Sequence, residues 1–176
     1  MSQLKVNSIV PAGGLPSGAS GGIIQVVSTT KTDTFSATLI ESNFSSAAIS
    51  LSITPSSNSS KILLMATLTM GLSNDNEVEF AFFKGGTIIS GAIGDTAGNR
   101  TRAHAAGRVN ATSSPGFVAG HYLDSPSTTS ATTYSVRLSH QNNGSATVYL
   151  NRSHTDGNND QDSRLASTLT LMEVSG

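Results

Sequence analysis

Period-two alternation of apolar and polar side chains restricts this chain more than any other feature. It is clearest over Ile49 to Met70, ISLSITPSSNSSKILLMATLTM. Ile49, Leu51 and Ile53 alternate with Ser50 and Ser52, and Pro55 to Ser60 is a turn cluster. Ile62, Leu64, Ala66, Leu68 and Met70 then share one face, with Leu63, Met65, Thr67 and Thr69 on the other. Strand side chains point alternately to opposite faces. The stretch therefore predicts two antiparallel strands joined by a loop, a hairpin. The second strand is apolar on both sides near its start, which suggests a central strand covered by the core on one face and by more protein on the other.

The same period recurs along the chain. IIQVVSTT (23–30), VEFAFFK (78–84), FVAGHYLD (117–124), TTYSVRLSH (132–140), ATVYLNRS (146–153) and STLTLMEV (167–174) all read as strands. Lys31 to Ser36 reads as a polar connection, with Phe35 plugging one end of the core. Lys84-Gly-Gly is a tight turn, and Gln141-Asn-Asn-Gly144 reads as a hairpin turn because Asn-Gly supplies positive φ values. The last strand is apolar on both faces and is expected to be central. Roughly eight to ten short strands without a helix point to an all-β fold, a jelly-roll-like antiparallel β-sandwich. Residues 1–22 differ: Pro11, Pro16 and the glycines around them cannot make a helix or a regular central strand. The expected organisation is an extended N-terminal arm, 1–22, followed by a sandwich body, 23–176.

Composition excludes several function classes. Of the 176 residues, 12% are charged and the formal net charge is −1. The charged share is about half the usual one, and there is no basic excess to suit nucleic acid. Cysteine is absent, which rules out disulfides, zinc–thiolate sites and thiol catalysis. No apolar run reaches the roughly 18 residues of a membrane helix. The opening MSQLKVNSIV lacks a signal-peptide apolar run. Synthesis in a cytoplasm, without membrane insertion, is the expectation.

Candidate sites are few. His104, His121, His140 and His154 do not stand at metal-ligand spacing. His121 and His140 lie on expected strands, where they fill half-buried slots or ring a three-fold axis. Asp156 to Asp162 places oxygen side chains at alternate positions, like a calcium loop. It has Gln161 where the turn glycine belongs and Ser167 where a bidentate Glu belongs, so a solvated loop is expected and no metal site. Arg100, Arg102 and Arg108 fall in the least apolar stretch of the body and are candidates for gripping a carboxylate or phosphate. No GxSxG elbow or paired base supports nucleophilic catalysis. Glu41, Glu77, Glu79 and Glu173 lie on separate expected elements, without the convergent pair that glycoside hydrolysis requires. No catalytic residue and no cofactor is expected.

Five segments, taken in order, carry a resemblance: LKVNSIVPAGGLPSGASGGIIQVV, SLSITPSSNSSKILLMATL, GDTAGNRTRA, LDSPSTTSATTYSVRL and STLTLMEV. Together they span almost the whole chain and are similar to small tail-fibre-like or virion structural proteins of tailed bacteriophages, notably marine and cyanobacterial ones. The resemblance implies a virion component made in the host cytoplasm and assembled as a homotrimer. The two-sided strands 61–66 and 168–174 add a physical motive for the trimer, since symmetric closure would bury their second face. The arm would anchor to other virion proteins, with Leu4, Val6, Ile9 and Val10 as its docking side chains. The body would project and contact a host surface glycan through the Arg100 to Arg108 segment and the 154–163 loop. The alternative within the same resemblance is a head, neck or tail decoration protein with no receptor.

Overall fold

A computed structural model describes residues 22–110, 114–160 and 162–176. Leu4, Val6, Ile9 and Val10 lie outside the described residues, as does the rest of the expected arm up to residue 21. The described residues form eleven strands and one short 3-10 turn, Ser90–Ala92. The strands are β1 (Ile23–Lys31), β2 (Phe35–Ile40), β3 (Ile49–Ile53), β4 (Lys61–Leu72), β5 (Glu77–Lys84), β6 (Thr87–Ile88), β7 (Ala105–Arg108), β8 (Gly116–Asp124), β9 (Thr132–His140), β10 (Ser145–Leu150) and β11 (Ser167–Val174).

They make two packed antiparallel sheets, so the chain is an all-β sandwich. Sheet A runs β1-β11-β4-β10-β2, with β8 on the other edge of β4; sheet B runs β3-β9-β5-β6, with β7 also on β5. Single strands of β2, β3 and β4 fall in sheets A, B and A in turn. The β7–β8, β8–β9 and β9–β10 connections cross between the sheets as well.

Two expected hairpins are therefore corners. β3 pairs with β9 and β4 with β8, β10 and β11, so the Pro55–Ser60 loop carries the chain from sheet B to sheet A. The 141–144 turn likewise joins β9 of sheet B to β10 of sheet A. Alternation establishes that two strands face a core, but a sandwich offers two sheets for that core, and a loop of several residues can serve either arrangement. Lys84-Gly85-Gly86 is a true hairpin turn: β5 and β6 pair at Lys84↔Thr87, and the two glycines hold φ of 55° and 88°. Phe35 does not stand in a connection but opens β2, which pairs along its length with β10. The short β7 was also unmarked in the sequence, because Ala105 to Arg108 carries no apolar alternation.

The core lies between the sheets. Ile62, Leu64, Leu68, Met70, Phe80, Phe82, Tyr134, Leu138, Leu169 and Leu171 are fully buried there, and each such side chain stabilises the fold by about 1.5–3 kcal/mol. β11 sits between β1 and β4, so it is central as its two-sided apolar pattern implied.

On β11 a charged residue stands in that inward phase. Glu173 follows Leu169 and Leu171 on the same face of β11 and is fully buried. Its carboxylate accepts hydrogen bonds from the Ser56 backbone N (2.7 Å), Ser56 Oγ (2.6 Å) and Gln25 Nε2 (2.6 Å). Gln25 Nε2 also donates to the Thr54 carbonyl at 2.7 Å. Burial opposes ionisation, but the hydrogen bonds from Ser56 and Gln25 outweigh it and bring the Glu173 carboxyl down to about 2. The carboxylate thus pins the β3–β4 corner to β1 and β11.

Candidate functional site

The residues nominated from sequence are not brought to one place. Arg100 Nη1 donates to the Ala97 carbonyl (3.3 Å) and Arg102 Nε to the Gly94 carbonyl (2.7 Å). With the Gly94 N bond to the Ala103 carbonyl at 3.2 Å, they close the loop between the 3-10 turn and β7 on itself. Arg108 is exposed on β7 opposite Glu77, beside a hollow that Asp75, Val109 and Pro115 also line.

The 154–163 loop engages its own carboxylates. Asp156 bridges Arg152 (2.9 Å) and Arg164 (2.8 Å), and Asp162 Oδ2 accepts from Gly157 N and Asn159 Nδ2, both at 2.8 Å. Among the described residues no three His, Asp or Glu side chains converge as a metal site. His140 is buried and structural: its Nε2 donates to the Leu39 carbonyl at 3.0 Å and its Nδ1 accepts from Asn142 N at 3.1 Å. His121 is exposed on β8, opposite Met65.

A polar cleft opens at the end of the sandwich, between the edge strand β8 of sheet A and the β5–β6 hairpin of sheet B. Its volume is about 410 Å³, and its walls include Lys84, Ile88, Ser90, Gly91, Tyr122 and Asp124. Tyr122 and Asp124 lie in the inward phase of β8, with Val118 and Gly120. Asp124 is held from two sides. Tyr134 Oη, beneath it on β9, donates to Asp124 Oδ2 at 2.7 Å, and Lys84 Nζ donates to Oδ2 at 2.8 Å and Oδ1 at 3.2 Å. Burial, with the Asp124 carboxylate beside it, pushes the Tyr134 hydroxyl well above the usual phenol range, so it serves Asp124 as a fixed donor. Tyr122 extends over Gly91, where an added Cβ would come within 2.5 Å of Tyr122 Oη. Glycine at 91 leaves the room that ring occupies. Sequence reasoning passed over this cleft. Its one signal was Asp124, a charge in the apolar phase of its strand.

A second surface is the outer face of sheet A. Register places Val26, Met172, Leu63 and Leu123 in one row across β1, β11, β4 and β8. The next row is Ser28, Thr170, Met65 and His121, and the next Thr30, Thr168, Thr67 and Ala119. No Lys, Arg, Asp or Glu stands in these three rows. Val26 is 52% exposed, Met65 42% and Leu123 44%, and Phe117 further along β8 is 71% exposed. The second face of β4, expected to be covered, is exposed at Met65 and Thr67 and half-buried at Leu63 within the single chain. A charge-free face with one wholly apolar row, flanked by hydroxyls, is a candidate interaction surface. No protein-family model matches the chain, and no curated protein matches its sequence.

Proposed function

We propose that this protein is a virion component of a tailed bacteriophage: a tail-fibre or fibre-tip protein, homotrimeric, attached by residues 1–22 and meeting the host surface with the far end of its sandwich. The observation that carries the reading is the polarity of the body. The arm would leave from Gly22, whose carbonyl accepts from Ser175 N at 3.0 Å. That end also holds the β3–β4 corner pinned by Glu173, and Lys84 with Asp124. Arg108 lies at the other end, beside Glu77 at the far end of β5 from Lys84. One end would be tethered and the other free, which suits a projecting part. The bare face of sheet A supports self-association, since covering it removes apolar surface from water at about 25 cal/mol per Å².

Imaging particles labelled on the body tests the location. Density projecting from the tail supports the reading, and density flat on the head removes the receptor role. Arg108→Ala particles that assemble normally should adsorb less to host cells. Unchanged adsorption would favour the decoration reading, which has one observation of its own: Arg100 and Arg102 direct their donors into their own loop.

A further inference from the structure

We infer that the cleft beside Asp124 binds a neutral polyhydroxylated ligand, a saccharide presenting adjacent hydroxyl groups. The polar groups there are fixed before any ligand arrives. Asp124 Oδ2 is occupied by Tyr134 Oη and Lys84 Nζ, whereas Oδ1 has only the longer 3.2 Å contact with Lys84. A carboxylate oxygen accepts more than one hydrogen bond, and an ammonium has three protons to donate. Oδ1 therefore keeps acceptor capacity next to the remaining N–H donor of Lys84, whose side chain is 36% exposed. A sugar hydroxyl both donates and accepts. Two neighbouring hydroxyls match an acceptor beside a donor, one donating to Oδ1 and the other accepting from Nζ. The hydroxyls of Ser90 and Tyr122 supply further partners that donate or accept, while Ile88 and the Tyr122 ring offer apolar walls.

Charge decides against the other ligand classes. Lys84 and Asp124 neutralise one another, so neither a phosphate nor a cation meets an uncompensated partner, and a purely apolar ligand would strip water from both ions without replacing it. The inference does not rest on the proposed function, since the cleft lies at the Gly22 end of the body, away from Arg108.

The test is a titration of the full chain followed by ¹H–¹⁵N NMR, with maltose and lactose as probes and phosphate and acetate as charged comparisons. A soluble dextran in a further arm separates recognition within a polymer from recognition of a short free sugar. The expected result is perturbation confined to the amides of Lys84, Thr87 to Gly91 and Tyr122 to Asp124, with affinity on the order of millimolar. Tyr122→Phe should leave the rest of the spectrum unchanged and weaken binding by roughly threefold to tenfold, the worth of one hydrogen bond. Gly91→Val, which drives a side chain into Tyr122, should abolish it. No perturbation with either sugar up to about 50 mM, far above a millimolar constant, would overturn the inference. So would a larger response to phosphate than to sugar, or equal sugar binding by both variants.

Discussion

The outer faces of the two sheets carry similar strands and meet opposite fates. On sheet A the outward side chains of β1 and β8, with Met65 and Thr67 of β4, are exposed and those of Thr168, Thr170 and Met172 on β11 half-buried, and hydroxyls pair with each other across strands. Ser28 Oγ and Thr170 Oγ1 are 2.8 Å apart, and Thr30 Oγ1 and Thr168 Oγ1 3.1 Å. On sheet B the outward residues Glu79, Ala81 and Phe83 of β5, with Ser135 and Ser139 of β9, are buried. The β2–β3 connection and the 94–104 loop cover them. Phe44 packs edge-on against Phe83, the Arg137 guanidinium lies over the Phe83 ring 4.4 Å from its centroid, and Ser42 Oγ meets Thr101 Oγ1 at 2.5 Å.

The covered face keeps a desolvation penalty. Glu79 Oε1 accepts from Gln141 Nε2 at 2.5 Å, but Glu79 Oε2 and Ser139 Oγ, on residues paired across β5 and β9, are buried without a hydrogen-bond partner among the described residues. The comparison teaches that outward alternation does not settle exposure; what the connections do next settles it.

The most direct way to break the comparison is to truncate an apolar side chain on each face. Phe83→Ala, on the covered face, should destabilise by about 3 kcal/mol, read as a lowered urea midpoint at unchanged slope. A shift as small as that of a surface substitution would mean that the connections do not cover sheet B.

The next effect concerns two of the buried carboxylates, Glu173 on the inner side of sheet A and Glu79 on the covered outer side of sheet B. Glu173→Gln removes the charge that Ser56 and Gln25 hydrogen-bond, and should cost about 2 kcal/mol at neutral pH. The folded state holds the Glu173 proton less tightly than the unfolded chain does. Its stabilisation is therefore present above the ordinary carboxyl value and lost as pH falls from there towards about 2. Thermal melts of the wild type and variant should converge over that window; parallel curves would refute the assignment.

Glu79 behaves in the opposite sense. Burial outweighs the Gln141 hydrogen bond and raises its carboxyl above the ordinary value, so the folded state binds this proton more tightly. Stability then falls as pH rises through the interval between the two values. Glu79→Gln should raise stability by about 1 kcal/mol at neutral pH, and the gain should vanish in acid. A destabilised variant at neutral pH would show that the carboxylate is better satisfied than its geometry indicates.

The smallest effect on the fold itself is expected on the bare face. Met65→Lys should change the monomer's stability by no more than about 0.5 kcal/mol, yet a lysine among Leu63, Met172 and Leu123 would have to be desolvated in any self-association. Light scattering should show the wild type larger than one chain and the variant reduced to one. A wild type that is monomeric at micromolar concentration would end the homotrimer proposal.

Some of this was legible along the chain. Period-two runs located β1, β3, β4, β5, β8, β9, β10 and β11, since alternation between water and core is a property of each strand alone. They also marked β11 as central, and it does lie between β1 and β4, although its outward face is not covered within the chain. Two charges could have been flagged from phase alone, Asp124 after Val118 and Tyr122, and Glu173 after Leu169 and Leu171. Their partners could not. Lys84, Tyr134, Ser56 and Gln25 are distant in sequence and meet these carboxylates only because particular strands cross from one sheet to the other. The same crossing turned two expected hairpins into corners and dispersed Arg100, Arg102 and Arg108. Side-chain periodicity is local and survives in the sequence. Which strands become neighbours, and which outward face a loop then covers, depends on long-range closure, so only the tertiary structure decided the cleft and the bare face.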